Sequence, residues 1–168
     1  MTVNQLPVRN RPRPLTNQAM PHSQIGVQPV SEVNAELFKR CYSLPDVQNR
    51  PTVISVPGAR ALWLREDLPL AHPEAIVRGR EFAHIHPDGS LHVALPPERA
   101  SAALEKGWAE LHPMAHYLGN EGMVMLYTPL DMDELDVVFE LIIDTYNFFT
   151  GRSLSPVDVF SDVSKGEK

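Results

Sequence analysis

"EFAHIHPDGSLHVAL", Glu81 to Leu95, places three of the chain's seven histidines, His84, His86 and His92, within nine residues. Polar and apolar residues alternate from Glu81 to His86 and again from Leu91 to Leu95, the pattern of two half-buried strands. Between them His86-Pro87-Asp88-Gly89 suits a type I turn with proline at its second position, closed by a glycine bulge in the left-handed conformation. That register sets Ile85 opposite Leu91, His84 opposite His92 and Ala83 opposite Val93. One face then reads Ala83, Ile85, Leu91, Val93 and belongs to a core. The other reads Phe82, His84, His86, Ser90, His92, Ala94. A two-residue Asp88-Gly89 loop would pair Ile85 with His92 and scatter polar groups over both faces, a slip that is costly when one face is buried.

Outward from this hairpin, the chain of 168 residues and 18.8 kDa is sized for one compact domain. Residues 1–30 hold five prolines and little periodicity, so they read as an extended arm, with Arg9, Arg11 and Arg13 solvated within it. A single α+β domain is expected over 31–152 and a tail over 153–168. Ser31 can cap a helix running to about Ser43, stopped by Pro45. Thr52–Val56 and Ala61–Arg65 read as a second hairpin around Pro57-Gly58-Ala59. Pro97 and Gly107 bracket a short helix, Glu98–Lys106, and Trp108–Leu111 and Met123–Tyr127 are further strands. Asp131, with Glu134 three residues on, caps the clearest helix, which Gly151 ends. Its Leu135, Val138, Ile142, Tyr146 and Phe149 face inward, and Glu140, Asp144 and Asn147 form an opposite, solvated row. Hairpins plus segregated helices predict an α+β fold with a largely antiparallel sheet and helices packed on it.

Net charge is −6 and the isoelectric point about 5.6, which argues against general nucleic-acid binding, since neutralising phosphates needs a basic surface. No signal-peptide pattern and no run of about 20 apolar residues occur, so no membrane partner and a cytoplasmic address are expected. Cys41 is the only cysteine, which excludes an intramolecular disulfide, a cysteine-rich zinc site and a CxxC redox pair, and it sits on the apolar stripe of a helix, as a small buried side chain would. The oligomeric state is left open.

Three readings fit the histidine face. Neutral imidazoles can take a proton from a bound small-molecule substrate and hold the resulting anion, with no cofactor. Three imidazoles, two along one strand and one across the ladder at about 5 Å, can instead converge on a single divalent metal ion. Or they are structural hydrogen-bond partners. Trp63, Phe82, Trp108 and Tyr127 can wall an aromatic-ligand pocket or pack in the core. Arg80 can clamp an anionic ligand or pair at the surface. His112 and His116 have the i, i+4 spacing of zinc helices, but no glutamate follows the first and Pro113 favours a loop.

"VPGARALWL" (Val56–Leu64), "GREFAHIHPDGSLHVALP" (Gly79–Pro96), "GWAELHP" (Gly107–Pro113), "VMLYTP" (Val124–Pro129) and the acidic closing helix together resemble the luciferase-domain family, which joins fungal luciferases to short bacterial proteins. The likeness covers roughly residues 50 to 151. It implies a reaction in which dioxygen adds to a hydroxylated α-pyrone without flavin or evident metal and decarboxylation follows, with the histidine hairpin supplying the base. His84, flanked by His86 and His92, is the base of choice. The rival expectations are a three-histidine metal-dependent enzyme and a non-catalytic binding or interaction protein.

Overall fold

A computed structural model describes residues 5–163, with side chains through Ser161. The first four residues of the expected arm and the last five of the expected tail lie outside the described residues. Eight strands and four helices follow in order: β1 (Leu15–Asn17), β2 (Ser23–Ile25), α1 (Ser31–Cys41), β3 (Val47–Pro51), β4 (Arg60–Leu64), β5 (Glu81–Ile85), β6 (Leu91–Ala94), α2 (Pro97–Glu105), β7 (Ala109–Leu111), β8 (Met123–Leu126), α3 (Met132–Thr150) and α4 (Pro156–Val163). Six strands make one antiparallel sheet in the order β3-β4-β5-β6-β8-β7, and β1 and β2 pair separately. The fold is α+β.

The central hairpin has the expected register, Ala83 with Val93, His84 with His92 and Ile85 with Leu91. Its turn is closed by the Gly89 N–H donating to the His86 carbonyl at 2.9 Å and the His86 N–H donating to the Ser90 carbonyl at 2.8 Å. Gly89 sits at φ +88°, where a side chain would be strained and would also press on Asn34 and Thr128. Alternation then sorts the sheet. Ala83, Ile85, Leu91, Val93, Val124 and Leu126 join the buried cluster with Leu37 and Cys41 of α1 and with Leu135, Val138, Ile142 and Phe149 of α3. His84, His92, Met125 and Glu110 fall on the opposite side, by the pairings His92–Met125 and Met125–Glu110.

One irregularity departs from simple alternation. Leu62 pairs with Ala83 but Trp63 pairs with Glu81, so Phe82 is the extra residue of a β-bulge. The bulge turns Phe82 to the helix side, where its ring meets Tyr146 at 6.2 Å and Phe149 at 5.9 Å. It also swings Glu81 onto the histidine face.

Several sequence expectations are corrected here. Thr52–Val56 is not a strand: the partner of β4 is Val47–Pro51, and the β-branched run instead crosses the histidine face as a loop. Ser31 begins α1 without capping it, since Val30 takes that position and no side chain bonds there. Asp131 does cap α3, accepting the Glu134 N–H at 2.8 Å, while the Glu134 carboxylate receives the Leu130 N–H. The acidic row of α3 is not simply solvated: Arg99 of α2 bridges Glu140 and Asp144, and Asn147 holds both backbone groups of Leu154. The three arm arginines are engaged as well. Arg9 donates to carbonyls of Arg11 and Pro12, Arg11 pairs with Asp131 and Glu134, and Arg13 donates to carbonyls of Ala109 and Leu104. A guanidinium fork can satisfy carbonyls and acids left at helix ends, so an arginine-rich arm can dock on an acidic protein.

Candidate functional site

The sheet face opposite the core carries five imidazoles, His22, His84, His86, His92 and His112, all buried. The hairpin supplies three of them. His112 follows β7, and His22 comes from the arm at the start of β2, its ring stacked on that of His92 at 5.1 Å between centroids. Ring centroids of His86 and His92 are 4.5 Å apart, and those of His92 and His112 are 4.4 Å apart.

Hydrogen bonds tie the rings to carboxylates at both ends of a chain. Glu110 Oε2 lies 2.8 Å from His22 Nε2, His22 Nδ1 is 3.0 Å from His92 Nε2, and His92 Nδ1 is 3.0 Å from His84 Nε2. His84 Nδ1 lies 3.1 Å from Glu81 Oε1. Both carboxylates are fixed as acceptors. Glu81 receives the Thr52 hydroxyl and the Val53 N–H, and Glu110 receives Thr16, Gln18 and Tyr127. Burial opposes ionisation of each, but hydrogen bonds, from His84, Val53 and Thr52 to Glu81 and from His22, Thr16 and Gln18 to Glu110, outweigh it and hold both carboxyls below their ordinary value.

These anchors assign the protons. His84 must donate from Nδ1 to Glu81, which leaves a lone pair on Nε2. His22 donates from Nε2 to Glu110, so its Nδ1 accepts from His92 Nε2, and His92 keeps a lone pair on Nδ1. Nε2 of His84 and Nδ1 of His92 therefore face each other at 3.0 Å, and one proton between them completes the hydrogen bond. His86 is set independently: the Ser90 hydroxyl donates to Asp88 at 2.6 Å, so it accepts from His86 Nδ1 at 2.8 Å and the lone pair of His86 is on Nε2. His112 is set the opposite way, because its Nδ1 accepts the Met114 N–H at 3.0 Å and its proton is on Nε2. Burial, followed by neighbouring histidines, lowers His92 and brings both His86 and His112 down to about 4, so all three are neutral near pH 7.

Beside the rings opens a cleft of about 600 Å³, within the range of about 300–1,000 Å³ usual for small-molecule sites. His22, His84, His92 and His112 form one wall, and Met20, Ile54, Val56, Val77, Met114 and Met123 are among the apolar residues of the others. His86 touches the rings of His84 and His92 from the turn side.

Other expected site residues lie elsewhere. Arg80 donates to the carbonyls of Leu64 and Leu68, which occupies the guanidinium with backbone rather than a ligand. Phe82 is in the core because of the bulge. Trp63 covers Gly79 and stacks with Arg50, and Trp108 is buried with its N–H on the Pro7 carbonyl at 2.7 Å. Tyr127 reaches the site only through its bond to Glu110. His116 is exposed beside Glu121, in a turn, so it does not pair with His112 as a zinc helix would. His22, Glu81 and Glu110 were not singled out by sequence. Glu110 alternates correctly on β7, but nothing local marks a histidine in a proline-rich arm.

Comparison with known proteins finds the same likeness. The luciferase domain matches residues 79–143, the segment that holds the hairpin, His112 and the start of α3. Over that segment the chain is similar to the luciferase domain. It is 33% identical over 159 residues to a luciferase of Armillaria ostoyae and 32% identical over 159 residues to one of Armillaria gallica, in each case covering 83% of this chain. A luciferase of Neonothopanus nambi is 35% identical over 99 residues, 51% of this chain and 36% of its own length. The chain spans about 59% of the length of the Armillaria relatives. No solved structure matches it. Among the described residues, no helix is long and apolar enough to cross a membrane.

Proposed function

We propose that this luciferase-like chain is an oxygenase of small enolisable molecules, hydroxy-pyrones or hydroxylated aromatics, bound in the histidine cleft. The observation that carries the reading is the proton arrangement of the cleft wall. His112 presents an N–H that can donate to a substrate oxygen, while His84 and His92 present two lone pairs separated by 3.0 Å. Such a pair gains by taking up a proton, which relieves the repulsion between the nitrogens. An enolic hydroxyl in the cleft gives its proton to this pair, and the enolate oxygen accepts the His112 N–H.

Dioxygen reacts slowly with closed-shell molecules, so an electron-rich enolate is the species it needs. The enolate forms a carbon–oxygen bond to dioxygen, the carbon being oxidised as dioxygen is reduced to the peroxide level. The peroxide anion takes back the proton. In a pyrone, loss of carbon dioxide follows, as the family resemblance implies. The apolar walls suit a flat, neutral substrate and exclude water from the anion.

The test is oxygen uptake with a panel of hydroxy-pyrones and enolisable phenols. Protein-dependent consumption is expected, and His84→Gln should lower it by about 10²–10⁴-fold while the protein stays folded, the usual range for losing a general base. Tight binding of panel members with no oxygen consumed would make the protein a binder and overturn the reading.

A further inference from the structure

Three orienting chains converge on one point of the histidine face. Glu81, held by the loop after β3, sets the proton of His84; Asp88 through Ser90, within the turn, sets that of His86; and Glu110 through His22, from β7 and the arm, sets that of His92. Each chain engages one nitrogen of its ring and leaves the other toward the neighbouring rings: Nε2 of His84, Nε2 of His86 and Nδ1 of His92. One ring nitrogen of each lies within 4.8 Å of those of the other two. Among the described residues, no group outside these three rings bonds to the three nitrogens, and His84 and His92 meet only each other there. Yet the nearest two are only 3.0 Å apart, in a buried place where electrostatic repulsion is weakly screened.

We propose that His84, His86 and His92 form a three-histidine site for a divalent transition-metal ion of the zinc, cobalt or iron class. Imidazole nitrogens select these ions over calcium or magnesium, which take oxygen ligands. Two nitrogens bound at about 2.0–2.1 Å to a tetrahedral ion stand about 3.3 Å apart, close to the separation already present between His84 and His92. Ligating histidines almost always donate their second nitrogen to a carboxylate, carbonyl or polar relay, and all three do so here. Three protein ligands leave a position open, and His84 and His92 both line the cleft.

A second trio, His22, His92 and His112, is equally compact but has the wrong protons. His112 uses its Nδ1 lone pair on the Met114 N–H, and His22 uses its own on His92, so neither can ligate without losing a proton or a bond. The metal inference goes beyond the oxygenase reading and does not rest on it. An ion at this point would occupy the lone pairs of His84 and His92 and so would replace their proton uptake, holding an enolate oxygen itself, with the substrate class unchanged.

The test needs no substrate. Full-length protein made without a histidine tag, carrying His72→Gln and His116→Gln to remove exposed imidazoles, is stripped with chelator and titrated with zinc by calorimetry and with cobalt by visible absorption. A single equivalent is expected, with cobalt ligand-field bands of a low-coordinate nitrogen site. His86→Gln and Glu81→Gln should each weaken binding, the latter by about 10–100-fold as for other outer-shell partners. Near-UV circular dichroism reports folding, and if His86→Gln does not fold, Ser90→Ala gives the same readout, with a loss of about 10–100-fold expected. Folded parent protein that binds no ion, or that binds equally well after both Glu81→Gln and Ser90→Ala, overturns the proposal. Oxygen uptake is measured separately on chelator-stripped and on metal-loaded protein, so failure of the oxygenase reading and failure of the metal site are distinguished.

Discussion

His86 and His112 have the same depressed basicity, about 4, but opposite tautomers, and that difference divides their chemistry. A backbone N–H two residues on takes the Nδ1 lone pair of His112, which makes the ring a fixed donor. A serine committed to Asp88 takes the Nδ1 proton of His86, which makes that ring a fixed lone-pair bearer. Long-range ¹⁵N–¹H correlation spectra at neutral pH should show His112 with its proton on Nε2 and His86 with its proton on Nδ1. The reverse pattern at His86 would move its lone pair to Nδ1, against Ser90, and so remove Nε2 as a base or ligand. Cys41, by contrast, has no such chemistry: burial pushes its thiol far above the ordinary range, so it behaves as a small apolar side chain.

At the scale of elements, the β5–β6 hairpin and the capped helix α3 are set by local signals, whereas the bulge at Phe82 is set by packing. A phenylalanine on the histidine face would be surrounded by polar groups; on the other face it joins Tyr146 and Phe149. The cap of α3 offers a pH test. The Glu134 N–H, opposed by burial and helped by Arg11, holds the Asp131 carboxyl below its usual value. A depressed folded value means that the stabilisation is present above the unfolded value of about 3.9 and is lost as pH falls through the folded one. Asp131→Ala should therefore cost about 1 kcal/mol at pH 7, most of it from the cap. The ion pair with Arg11 adds little, because both side chains are nearly half exposed. Urea denaturation should show the gap between wild type and variant closing on acidification. An equal gap at pH 7 and well below the folded value would assign the cost to something other than the carboxylate.

Over the whole molecule, the arm completes the site. Residues 5–30 bring His22 onto His92, and their arginines fasten the segment to the end of α2 and the start of α3. Gln24 bonds to Thr128 and Asp88, so the arm also braces the hairpin turn. Arg13→Ala removes donors to the carbonyls of Ala109 and Leu104, and hydrogen bonds of a charged group are worth about 1.5–3 kcal/mol. The expected result is faster proteolysis and amide exchange in residues 5–30, with protection of the His84–His92 ladder unchanged. Loss of protection in both together would show that arm and sheet open as one unit.

The sequence by itself determined the hairpin register, the α+β class, the burial of Leu135, Val138, Ile142, Tyr146 and Phe149, and the gathering of His84, His86 and His92 on one face. Each of these follows from short-range periodicity and turn chemistry, which act within a few residues. Tertiary structure decided what those histidines can do. Thr52–Val56 has a strand's composition, but pairing of β4 with Val47–Pro51 left it to hold Glu81 and line the cleft. Glu81, Glu110 and His22 come from three segments, and only their assembly joins His84 and His92 into one chain of rings between two carboxylates. The protons of His84, His86 and His112 are set by near neighbours in the chain: Glu81, Ser90 with Asp88, and the Met114 N–H. That of His92 is set by His22 and Glu110 across the fold, which no local pattern encodes.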